Sequence, residues 1–96
     1  MDQLPSDEEI ARNRRLLHTA VEHPVRQDIL RRLKVKGATL TAADLESEDL
    51  SPRCAGYHLT QLEKVGAIEV AETMHVRGQV IRVYRATPAG HELAPA

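Results

Sequence analysis

Apolar residues along this chain recur first at helical spacing and then, past residue 67, in alternation. Ser6 with Glu9 three positions on, after Pro5, is a capping-box pattern that predicts a first helix running to about Val21. Ile10, Leu17, Ala20 and Val21, widened by Leu16, form a stripe broad for a helix with a single partner. Two readings stand: the helix covers the core, or Ile10, Leu16, Leu17 and Ala20 form part of a subunit interface. His23-Pro24 opens a second helix with Val25, Ile29, Leu30 and Leu33 as its buried side. Arg26, Arg31, Arg32, Lys34 and Lys36 fall on its solvated side, and Gly37 ends it. Thr41 with Asp44 repeats the capping logic for a short third helix through Ala42, Ala43 and Leu45. The following Glu46-Ser47-Glu48-Asp49 offers nothing apolar, so the helix is expected to fray into the turn there.

The stretch from Leu50 to Gly66 specifies a fourth helix with both ends written out. Ser51 suits the cap, Pro52 the first helical position and Gly66 the left-handed residue past the end. Ala55, Leu59 and Leu62 share one face, with Val65 at its edge. Arg53, Tyr57, Thr60 and Lys64 share the opposite face, flanked by Gly56 and Gln61. Cys54 and His58 lie on the border between the two.

Two β-rich runs follow, Ile68 to Met74 and Val80 to Ala86, around the loop Val76-Arg77-Gly78. An odd loop length places Ile68, Val70 and Met74 on one face with Ala86, Tyr84 and Val80. It also sets Glu69 beside Arg85 and Glu72 beside Arg82 as cross-strand charge pairs. Thr87-Pro88 then caps a last helical turn, Ala89 to Ala94. Helix followed by hairpin predicts an α+β, mostly α, winged helix-turn-helix: about four helices, a two-stranded wing and a short C-terminal turn.

The totals narrow this further. Ninety-six residues suit one domain over 1–96, with a polar tail at 1–6 and a short tail at 91–96. With no Phe, no Trp and only two Tyr, the core must be built from Leu, Ile, Val and Ala, and a dimer would help complete it. No apolar run approaches membrane-spanning length, and no signal-peptide pattern opens the chain. One Cys cannot form an internal disulfide, which suits a cytoplasmic setting. The net charge of −1 argues against DNA until it is read by position. Acids gather at Asp2, Asp7, Glu8, Glu9, Glu46, Glu48 and Asp49. Beyond Ser51, Arg53, Lys64, Arg77, Arg82 and Arg85 face only Glu63, Glu69, Glu72 and Glu92. Non-specific affinity for DNA is therefore expected to be modest and salt-sensitive.

Candidate chemistry is sparse. No nucleophile, base and orienting group can be placed together, there is no Gly-rich phosphate loop, and no cofactor is implied, so the chain does not read as an enzyme. Cys54 and His58, spaced i and i+4, are too few for a metal without a third ligand, and His18, His23, His75 and His91 are scattered. A redox role for Cys54 at the start of the fourth helix competes with the plainer reading of a small residue filling a small space.

Three segments resemble one family. H-P-V-R-Q-D-I-L-R-R-L is similar to the second-helix signature of ArsR-type winged-helix regulators. S-P-R-C-A-G-Y-H-L-T-Q-L-E-K-V-G-A-I resembles their recognition helix, and R-G-Q-V-I-R-V-Y-R-A-T-P-A-G their wing and exit. Together they span about His23 to Gly90. The resemblance implies a dimeric transcriptional repressor whose partner is double-stranded DNA. It implies base-edge contacts from Arg53, Cys54, Gly56, Tyr57 and Gln61, and phosphate contacts from Ser51, Thr60, Lys64 and Arg77. Arg82, on the same hairpin, joins the DNA-side set. Arg53 suits guanine and Gln61 adenine through paired hydrogen bonds. The chain departs from the family pattern in three ways. The stretch before Ser51 is acidic and one residue short, Gly56 stands where a small hydroxyl residue is common, and the metal-sensing thiolates are missing from Ala42 to Leu45. The acidic turn and near-neutral charge keep open an alternative, a winged helix used for protein contacts within a larger regulatory complex.

Overall fold

The structure, a computed structural model, describes residues 6–94; the side chains at positions 10, 13, 14, 16, 17, 18 and 20 lie outside that description. The proposed interface residues Ile10, Leu16, Leu17 and Ala20 are therefore outside the described side chains. The order of elements is α1 (Asp7–Val21), α2 (Pro24–Leu33), α3 (Ala42–Leu45), α4 (Pro52–Lys64), β1 (Ile68–Val76), β2 (Gln79–Ala86) and α5 (Pro88–Leu93). A mostly helical chain carrying a hairpin directly after its helix-turn-helix is a winged helix-turn-helix.

Local capping chemistry sets the helix starts. Ser6 accepts the Glu9 N–H at 3.2 Å, Ser51 accepts the Cys54 N–H at 3.2 Å, and Thr87 accepts the Gly90 N–H at 3.2 Å. Each such cap contributes about 1 kcal/mol by satisfying a backbone donor the helix cannot. His23 also acts as a cap: its Nδ1 accepts the Val25 N–H at 3.2 Å. At Thr41 the Asp44 carboxylate accepts both the backbone N–H, at 2.8 Å, and the hydroxyl, at 3.2 Å. α3 ends at Leu45 and gives way, as expected, to a turn in the acidic stretch, where Ser47 and Leu50 exchange backbone bonds at 3.1 and 3.2 Å.

The core is aliphatic apart from Tyr84, which joins the expected Leu, Ile, Val and Ala. Ile29, Leu30 and Leu33 from α2 meet Ala55, Leu59 and Leu62 from α4, with Leu40, Leu45, Ala67, Ile68 and Tyr84 around them. Full burial of a Leu or Ile side chain contributes roughly 1.5–3 kcal/mol. Among the described residues, His58 is the one buried polar side chain. That corrects its expected place on the border of α4.

The α4 C-terminus closes as a Schellman motif. Gly66 (φ +79°) donates to Glu63 at 3.0 Å, and Ala67 donates to Leu62 at 3.0 Å. This turn leads into β1 and is clamped from below. The Thr87 hydroxyl lies against the carbonyls of Gly66 and Ala67, and the Thr87 N–H donates to Ala67 at 3.0 Å.

The hairpin corrects one expectation and keeps another. At its base Ile68, Glu69 and Val70 pair with Ala86, Arg85 and Tyr84, the expected odd register, and Arg85 reaches Glu69 at 3.0 Å. At Ala71 the ladder slips by one residue. Beyond it Glu72 faces Val83, Thr73 faces Arg82 and Met74 faces Ile81, so the expected Glu72–Arg82 pair does not form. The cause is the turn: it has two central residues, Arg77 (φ +49°) and Gly78 (φ +80°), the type I′ geometry that matches strand twist. An even loop and an odd base register cannot coexist without a bulge. Leu40 adds a single bridge to the free edge of β2, exchanging backbone bonds with Tyr84 at 3.0 and 2.8 Å.

Candidate nucleic-acid interface

The outward side of α4 is an exposed helical face. Ser51, Arg53, Cys54, Tyr57, Thr60 and Lys64 are exposed, while Gly56 and Gln61 are half-buried on its two flanks. Tyr57 is 56% exposed, unusual for so large a side chain, and stands mid-helix between Arg53 and Lys64. The sequence-predicted residues of α4 thus share one surface. Arg77 is exposed at the wing tip.

Hydrogen bonding decides what each group has left to offer. Ser51 accepts the cap bond and keeps its own O–H to donate outward. Thr60 donates its hydroxyl to the Gly56 carbonyl at 2.9 Å, so it presents a methyl and an acceptor to solvent. A Cβ built on Gly56 meets nothing within 4 Å, and the glycine leaves a notch on the side towards α3 and β2. A cleft runs there between Ala42, Ala43, Gly56, Thr60, Val80 and Arg82. Arg82 turns back across the cleft to Glu63 on α4, at 3.8 Å, with both side chains partly in water. Such a contact is worth about 0–1 kcal/mol and leaves Arg82 free to exchange partners.

A second feature was not legible from residue types alone. On the other flank of α4, the Arg26 Nε donates to His58 Nδ1 at 3.1 Å. The same guanidinium lies 5.8 Å from the centre of the Tyr57 ring. His58 also contacts the rings of His23, at 4.5 Å, and Tyr57, at 5.8 Å. Arg26, expected on the solvated side of α2, is half-buried and engaged. Burial lowers the His58 pKa below its ordinary value, and the charges of His23 and then Arg26 act in the same direction. A histidine accepting at Nδ1 is neutral with its proton on Nε2. It therefore does not offer Nδ1 to a metal shared with the exposed Cys54. The one sequence cue was the H-P-V-R start of α2, in which a capping histidine stands three residues before the arginine.

Ser47 to Asp49 are exposed immediately before the Ser51 cap, so the start of α4 carries acids on its approach. Among the described residues no group of three His, Cys, Asp or Glu side chains is gathered as metal ligands would be. No helix among them is long and apolar enough to cross a membrane.

The signature of the helix-turn-helix domain family matches residues 21–71, over half of the chain. This protein belongs to the helix-turn-helix domain family. The match takes in α2, α3, α4 and the first part of β1, and it ends at the bulge residue Ala71. In this helix-turn-helix domain α3 and α4 are the paired helices, joined by the Ser47–Leu50 turn. Membership points to a DNA-binding regulator. No curated protein matches the chain in sequence.

Proposed function

We propose that this helix-turn-helix protein is an ArsR-like, sequence-specific repressor of transcription that binds duplex DNA as a homodimer and works in the cytoplasm without a metal or cofactor. The observation that carries this reading is the outward face of α4, where Arg53, Tyr57, Thr60 and Lys64 are exposed beside the wing. In this reading α4 enters the major groove, with Arg53, Cys54, Gly56, Tyr57 and Gln61 towards base edges. Ser51, Lys64, Arg77 and Arg82 lie towards the backbone, and Thr60 contributes its methyl. Two protomers joined through α1 at Ile10, Leu16, Leu17 and Ala20 would read half-sites about one helical turn apart.

The test is enrichment of bound sequences from a random duplex pool, followed by titration of the enriched and a scrambled duplex at two salt concentrations. A specific reader binds the enriched duplex at least about tenfold more tightly; equal binding overturns the reading. Sedimentation of wild type and Leu16→Asp tests the dimer, which the substitution should dissociate.

The exposed acids Glu46, Glu48 and Asp49 beside the Ser51 cap favour a second reading, a winged helix that docks on another protein. Under that reading Arg53→Ala with Lys64→Ala leaves cellular function intact.

A further inference from the structure

We infer that Arg26 and His58 form a latch that holds Tyr57 in its reading position, and that proton uptake by His58 releases it and weakens DNA discrimination. This inference rests on the proposed DNA-binding function and deepens it.

The latch begins with Arg26. It belongs to α2, not to the helix pair that meets DNA, yet its guanidinium bridges two side chains of α4. One edge donates to His58 Nδ1 at 3.1 Å, while the carbon at the centre of the group lies 5.8 Å from the Tyr57 ring centroid. A planar cation near an aromatic ring restricts that ring's rotation. Tyr57 is a long side chain, 56% exposed, and unsupported it would sample several rotamers. The His58 ring closes the arrangement from below at 5.8 Å, edge-on to Tyr57.

The latch depends on His58 being neutral. Protonated Nδ1 is a donor and cannot accept from Arg26, so the two groups would repel where they now bond. Among the described residues, the ionisable groups against His58 are His23, which caps α2, Arg26 from α2 and Tyr57 from α4. The charges acting on it among the described residues come from His23 and Arg26. Both oppose a second positive charge, as does the burial of the ring. A proton therefore enters only by displacing Arg26, and Tyr57 loses its support.

The sign of the effect separates this mechanism from bulk electrostatics. Acidification makes a protein's net charge more positive, which strengthens non-specific attraction to phosphates. The latch acts the other way, on discrimination between sequences.

The experiment uses the full chain and the duplex enriched from the random pool near pH 7.5, with its scrambled counterpart as reference. Affinities for both are measured near pH 7.5 and at the lowest pH at which circular dichroism still shows the fold, because the lowered pKa of His58 delays its protonation. The ratio of the two affinities is expected to fall at least about fivefold on acidification, the scale on which one side chain discriminates a base. His58→Asn keeps an acceptor near the Nδ1 position and does not titrate, so its ratio should stay high and flat with pH. Arg26→Met keeps bulk without the bond or charge, so its ratio should be low and flat. It serves alone if His58→Asn does not fold. A wild-type ratio that does not change with pH overturns the latch while leaving DNA reading intact. So does an Arg26→Met ratio that matches wild type at both pH values. Failure to enrich any sequence removes the DNA reading itself, and the latch with it.

Discussion

Gly90 of α5 sits against the backbone carbonyl of Ala67 so closely that a Cβ at position 90 would fall inside it. The contact is with backbone, which cannot step aside as a flexible side chain could. Gly90→Ala should therefore destabilise the fold by about 1–3 kcal/mol, the range for overpacking a tight site. Urea denaturation of the two proteins measures it, and an unchanged midpoint would sink the claim.

Gly56 gives the opposite expectation. Nothing lies within 4 Å of a Cβ there, and the residue is in the interior of α4. Gly56→Ala should stabilise the fold by about 1 kcal/mol, and so raise Tm by about 4–8 °C. Thermal unfolding checks this. If the notch is where DNA comes closest, the firmer variant will also bind the enriched duplex less tightly, which separates stability from reading.

At the wing tip Arg77 holds φ +49°, a strained conformation for a side chain of its kind. Asn-Gly is the preferred pair for a type I′ turn. Arg77→Asn should leave stability equal or raise it by up to about 1 kcal/mol, while the slope of log affinity against log salt becomes shallower by about 2, one phosphate contact being lost from each protomer of the proposed dimer. A shift in stability without a change in slope would remove Arg77 from the phosphate contacts.

His58 makes folding itself depend on pH. Its pKa in the folded chain is lowered by burial and then by His23 and Arg26, while an unfolded histidine titrates near 6.5. Above that value both states are neutral and His58 contributes no slope. As pH falls below about 6.5 the unfolded chain takes up the proton first, so stability declines until the folded pKa is passed. Urea midpoints measured from about pH 7.5 down to pH 5 should fall more steeply in wild type than in His58→Asn; parallel curves would refute the assignment.

What could be read from the sequence follows the range over which each feature is decided. The caps at Ser6, Ser51 and Thr87 and the Gly66 turn are settled within a few residues, and each forms as expected. The buried stripe of Ile29, Leu30 and Leu33 against Ala55, Leu59 and Leu62 follows from helical spacing alone. The hairpin register is legible only at its base, because Ala71 reconciles two local preferences that conflict. Leu40 pairs with Tyr84 as a single residue and leaves no alternation to detect. The Arg26–His58 bond, spanning α2 and α4, depends on how two helices cross, which neither helix encodes by itself. In the acidic stretch residue type locates the end of α3 and the turn, but not the Ser47–Leu50 backbone pairing that closes it.

The slip at Ala71 has a consequence for how such a wing can change over evolution. Removing Ala71 would leave every cross-strand partnership as it stands, from Ile68 with Ala86 to Val76 with Gln79, and only straighten the ribbon. The core anchors one side of the bulge and the turn closes the other, so neither has to be rebuilt. A one-residue deletion there would re-aim Arg77 relative to α4 without touching a residue of either. The wing's pointing direction is thus a heritable setting, adjustable in a single step and independent of the residues on the outward face of α4.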